Sequence, residues 1–142
     1  SHAGSQQAGL LLIRITGLGD TPLEKIRRAL ERRGGETRSV ELLKGSQRGI
    51  WSLLERTLAV SWALTDDQAA ARIAHDAEVT TAALDELLRE HPGASATWQL
   101  QQGTIAGGAR AKETWRALLA DALRASPVAA ARNPGGTLDD PA

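Results

Sequence analysis

Cysteine is absent from this 142-residue chain, and so are methionine, phenylalanine and tyrosine. The missing cysteine excludes disulfides, thiolate metal sites and cysteine nucleophiles. An excess of charge is missing too: 17 basic and 17 acidic side chains cancel. The chain therefore has no general electrostatic pull toward nucleic acid or acidic lipid. No apolar run approaches the roughly 20 residues of a membrane helix, and no secretory apolar region is visible. Aromatic content is confined to four tryptophans, which are expected as core or interface anchors.

What is present fits a globular protein: 42% of residues are hydrophobic and 24% charged, which suits one soluble domain. Ser1-His2 resembles the remnant of a cleaved affinity tag, so residues 1–9 are expected as a tag-like disordered lead-in. Residues 10–125 are expected to form a single α+β domain. Residues 126–142, rich in Pro, Gly, Ala and Asp, are expected as a disordered tail.

The run from Leu10 to Thr16 is almost continuously apolar, as a strand buried on both faces should be. Gly17-Leu18-Gly19-Asp20 breaks it. A helix follows, with Thr21 and Glu24 in capping-box spacing, Pro22 at its start and an apolar stripe of Leu23, Ile26 and Leu30. Gly34-Gly35 closes it. The second strand, Thr37 to Leu43, sets Val40 and Leu42 on one face and Ser39 and Glu41 on the other.

The segment Ile50 to Leu64 fits both periods. Ile50, Leu54, Leu58 and Trp62 recur every four residues, whereas Leu58, Val60, Trp62 and Leu64 alternate with small or polar residues. A strand over Arg56 to Ala63 is preferred, because it pairs with the second strand as a hairpin. A capping box at Thr65 to Gln68 opens a helix to about Glu90, stopped by Pro92-Gly93. A last strand is expected over Ala96 to Gln102. A final helix, Arg110 to Ala125, carries Trp115, Leu118, Leu119, Ala122 and Leu123 on one stripe. This order is the ferredoxin-like βαββαβ pattern, an open sheet with an additional C-terminal helix and one face left for a partner.

The run IRITGLGDTPLEKIRRALERRGGETRSVELL resembles the first half of an ACT-type regulatory domain. Gly17, Asp20, Pro22, the Leu23-Ile26-Leu30 stripe and Gly34-Gly35 match that pattern in order. The resemblance covers about a quarter of the chain and implies small-ligand binding near the first loop, association through sheets, and no catalytic residues.

Two loops are candidate ligand sites. Gly17, Leu18, Gly19 and Asp20 lie between a strand and a helix N-terminus, where backbone amides favour anions. A dinucleotide fingerprint needs a third glycine where Pro22 stands, and Asp20 puts negative charge where a phosphate would sit. The second candidate is an anion site at Gly107, Gly108, Arg110 and Lys112, whose basic groups at a helix start oppose the helix dipole. Trp51 and Trp62 are candidate protein-contact residues.

The run RIAHDAEVTTAALDELL resembles a helix-turn-helix, but its apolar stripe runs straight through the supposed turn. Asp66 to Glu90 also holds seven acids against Arg72 and Arg89, which phosphates would repel. His75 has only Glu78 at helical spacing, so no metal site is expected. The chain is thus expected to be a non-enzymatic, cytoplasmic regulatory or interaction module. It would self-associate as a homo-oligomer through its sheet and bind a small molecule, without cofactor, membrane or nucleic acid. The alternatives are a helix-turn-helix nucleic-acid binder and a phosphorylated-ligand-binding accessory protein or enzyme.

Overall fold

The computed structural model describes residues 5–33, 39–42, 57–124 and 128–132. These form an α+β arrangement of antiparallel strands and three helices: β1 (Gln6–Thr16), α1 (Leu23–Arg32), β2 (Ser39–Leu42), β3 (Thr57–Leu64), α2 (Ala69–Leu88), β4 (Ser95–Ile105), α3 (Ala111–Arg124) and β5 (Val128–Arg132). The sheet runs β2-β3-β1-β4-β5, with every neighbouring pair antiparallel.

Strand β1 takes the centre. β1 is paired on both sides, from Gln7 opposite Leu64 on β3 and from Gln6 opposite Ile105 on β4. Its two faces feed two separate cores. Leu11, Ile13 and Ile15 pack with Leu58, Val60 and Trp62 of β3, and with Ile26 and Leu30 of α1 and Ile73 and Leu84 of α2. Ala8, Leu10 and Leu12 point the other way and pack with Ala59, Ile105, Leu118 and Ala122 beneath α3. Each of these large side chains contributes roughly 1.5–3 kcal/mol by leaving water.

The described part of the ambiguous segment, residues 57–64, forms the strand β3, and residues 50–56 lie outside the described residues. Its alternation places Leu58, Val60 and Trp62 in the α1–α2 core and leaves Ala59 and Ser61 toward α3. The β2 register agrees, setting Val40 and Leu42 opposite Val60 and Leu58, and Ser39 and Glu41 opposite Ser61 and Ala59. At one point α2 comes close enough to demand a glycine: a Cβ on Gly9 would lie 2.4 Å from Ile73 Cγ2.

Several expectations need correction. β1 starts at Gln6, within the expected lead-in, and Ala8 is fully buried; β3 and β4 both extend far enough to pair with it. β4 likewise runs on to Ile105. β5 lies within the expected tail and pairs with the start of β4 through a register shift at Ala96/Thr97. The sheet face expected to stand bare is partly roofed by α3, tied down where Gln99 Nε2 donates to the Ala122 carbonyl at 2.6 Å.

Neither capping box forms. α1 begins after Pro22, which is extended and lacks a side-chain cap, while Glu24 accepts from Arg27 and Arg28 instead. At α2, Asp66 rather than Thr65 accepts from the Gln68 amide, at 2.9 Å, and also pairs with Arg72. The glycine pair 34–35 lies outside the described residues.

Candidate functional site

An apolar opening lies between α3 and the sheet. α3 sits over β4 and β1, where Leu118 and Ala122 are buried and a Cβ on Gly103 would meet Leu118 Cδ1 at 3.2 Å. The resulting cleft holds about 320 Å³ and is lined by Leu10, Ala59 and Ser61 from the sheet and by Lys112, Trp115, Arg116 and Leu119 from α3. Its volume is at the small end of the range for ligand pockets.

The α3 wall follows from helical spacing. Trp115 and Leu119 are four residues apart, as are Lys112 and Arg116, so each pair stacks along one side of the helix. Trp115 and Leu119 are half-buried against the α3-side core. Lys112 and Arg116 are exposed and put two positive charges on an otherwise apolar rim. The start of α3 is held by Thr114, whose Oγ1 accepts from the Ala106 amide at 3.2 Å and donates to the Ala111 carbonyl at 2.9 Å.

The expected anion site is thereby divided. Gly107 and Gly108 lead into a short 3-10 turn, Gly108–Arg110, with Gly108 at φ +64°. Arg110 is exposed and faces Glu113 at 3.9 Å. Lys112 alone of that group lines the cleft, in company with Arg116. The Lys112/Arg116 spacing beside Trp115 and Leu119 was visible in the sequence. Leu10, Ala59 and Ser61 were not, because only strand register brings them together.

The first glycine loop is occupied by the protein itself. Gly17, at φ +81°, is pressed against the α2–β4 turn: a Cβ there would lie 2.2 Å from the Gly93 carbonyl oxygen. Leu18 is buried in the α1–α2 core, its carbonyl accepting from the Thr21 amide at 3.0 Å. Gly19 and Asp20 are exposed. The close approach that Gly17 permits is thus made by Gly93.

Trp62 is corrected from a contact residue to a core one. It is 1% exposed, and its Nε1 donates to Asp76 Oδ2 at 2.7 Å. The strand period points it inward, under α2. Trp51 lies outside the described residues. The supposed helix-turn-helix segment is one unbroken helix, α2, whose buried residues run from Ala69 to Leu88.

A second, more polar cleft of about 310 Å³ lies between α1 and the end of α2. It is lined by Lys25, Ile26, Ala29, Arg32, Arg33, Leu87, Glu90 and His91. Arg33 on its rim pairs with Glu86 at 3.0 Å. Among the described residues, no group of three or more metal-type side chains is gathered, and no helix is long and apolar enough to cross a membrane. No protein-family model matches the chain, and neither a curated protein nor a solved structure matches it.

Proposed function

We propose that the chain is a non-enzymatic regulatory or interaction module whose recognition site is the apolar cleft between α3 and the outer face of β1 and β3. The observation that carries this reading is the cleft itself, a concave apolar surface with a small number of polar groups at its rim. Its described lining offers one hydroxyl and two cations, with no carboxylate or imidazole to shuttle a proton near neutrality.

The fold reading that accompanies it is ferredoxin-like. The first six elements run strand, helix, strand, strand, helix, strand, and their strands order as β2-β3-β1-β4. Each helix connection skips one intervening strand, as in a split βαβ unit. The ACT-type resemblance, over about a quarter of the chain, accords with the first three of these elements and adds the expectation of a small ligand. Self-association through the sheet is assigned to the side that α3 leaves uncovered, where β3 meets β2.

The test uses a neutral apolar ligand, naphthylacetamide, and the Ser61→Trp variant, which fills the cleft. Isothermal titration should show saturable binding to the native chain and its loss in S61W. Absence of binding, or binding that S61W leaves intact, overturns the reading. Light scattering across a concentration series should show self-association, and a monomer throughout removes that part.

A further inference from the structure

We infer that the cleft selects small amphipathic carboxylates, compounds with an apolar body and one negative charge. The inference rests on the proposed function, and takes the same cleft one step further, to the chemistry of its ligand.

The argument begins with the asymmetry of the lining. One wall and the floor are hydrocarbon: Leu10 and Ala59 from the sheet, Leu119 and the Trp115 indole from α3. A flat or aliphatic body is what such a surface removes from water, and an indole adds a preference for planar partners. Among the described residues of the lining, the positive charge enters from α3, through Lys112 and Arg116 one helical turn apart. Two cations at that spacing repel one another, and a ligand anion placed between them relieves the repulsion.

A guanidinium beside an ammonium also matches a carboxylate closely. The Arg side chain offers a planar fork of donors, and the Lys a mobile point charge. Ser61 supplies a neutral hydroxyl on the opposite wall, able to donate to or accept from a polar substituent. The carboxylate end is therefore directed toward α3 and the apolar body toward Leu10 and Ala59.

The size of the space limits the ligand. About 320 Å³, open on one side, holds one or two fused rings or a short alkyl chain. That excludes a folded partner domain from the cleft proper. It also makes the apolar body and the charge separable variables.

The experiment compares 1-naphthylacetate with 1-naphthylacetamide, which share a ring system and differ in charge. Binding to the full chain is measured by titration calorimetry at low and high salt. The acetate should bind about tenfold more tightly at low salt, the gain of one charge-assisted contact pair, and the gap should narrow as salt rises. K112Q/R116Q replaces both cations of the lining by neutral side chains; it should erase the preference, so that acetate and amide bind the variant with equal affinity.

Equal affinity of the native chain for the two compounds would overturn the carboxylate assignment and leave the cleft reading intact. A preference that survives K112Q/R116Q would also overturn it. Failure of both compounds to bind would overturn the cleft reading itself.

Discussion

The indole N–H of Trp62 on β3 donates to the Asp76 carboxylate on α2 at 2.7 Å, and both residues are almost wholly enclosed. An acid in a helix face that otherwise carries Ile73, Ala77 and Leu84 is expensive to bury without a partner. The hydrogen bond makes the position tolerable and fixes how α2 lies on the sheet. The backbone adds to it, since Thr80 Oγ1 donates to the Asp76 carbonyl at 2.7 Å. Replacing Asp76 with Ala should destabilise the protein by about 2–4 kcal/mol, because the indole N–H loses its acceptor and a small void opens. Urea denaturation followed by circular dichroism measures it; a loss below about 0.5 kcal/mol, the scale of a surface change, would show the bond to be incidental.

Gly17 and Gly19 give an internal comparison within one loop. Both have positive φ, +81° and +61°. A Cβ on Gly17 runs into the Gly93 carbonyl at 2.2 Å, while one on Gly19 meets nothing within 4 Å. Gly19→Ala should therefore cost only the backbone term, about 1–2 kcal/mol. Gly17→Ala must displace a second loop as well and should cost distinctly more. Equal unfolding midpoints for the two variants would refute the loop-on-loop contact.

Gly9 offers a test by rescue. Gly9→Ala forces Ile73 away from the sheet and should destabilise by about 1–3 kcal/mol, as overpacking does. The double variant with Ile73→Ala removes the colliding methyl. Its loss should be smaller than the sum of the two single losses, a coupling that only neighbours in contact show. Strict additivity would mean that α2 does not approach β1 at this point.

Glu24 should show itself in acid. Hydrogen bonds from the Arg27 guanidinium, with Arg28 adding to them, hold its carboxyl at about 2, against an ordinary 4.5. The folded state thus prefers the ionised form. Its contribution is complete above the ordinary value and fades as pH falls through the folded one. The urea midpoints of the native chain and Glu24→Gln should differ most near neutrality and converge toward about pH 2. Because the group is on the surface, salt should shrink the difference. A gap that is constant with pH would contradict the assignment.

Much of the architecture was legible because period alone dictates it. The stripe of Leu23, Ile26 and Leu30 and the alternation of Leu58, Val60 and Trp62 each mark a buried face, and those faces meet in one core. The helical reading of Ile50 to Trp62 competed because spacing by four also fits part of that list. Pairing of β3 with both β1 and β2 decides it, since a strand satisfies its backbone through neighbours that a short window does not reveal. Capping failed for a related reason: Thr21 and Glu24 had the spacing of a box, but Pro22 took the position before the first helical residue and Arg27 took the carboxylate.

The cleft was half legible. Lys112, Trp115, Arg116 and Leu119 share a helical flank, which spacing reveals. Leu10, Ala59 and Ser61 come from strands about fifty residues apart in sequence, and no local signal joins them. Gly17 misled in a specific way: its glycine signalled a close approach correctly, but the approaching group is Gly93.

The central place of β1 has a consequence for how the chain is made. β1 leaves the ribosome before both of its partners, residues 57–64 and 95–105, so neither of its edges can be satisfied until those later segments have been synthesised. Until then its apolar residues are exposed as an unpaired strand, the form most prone to join another chain. Of its two partners β4 is made later, so the second edge of β1 stays open until residues 95–105 have emerged.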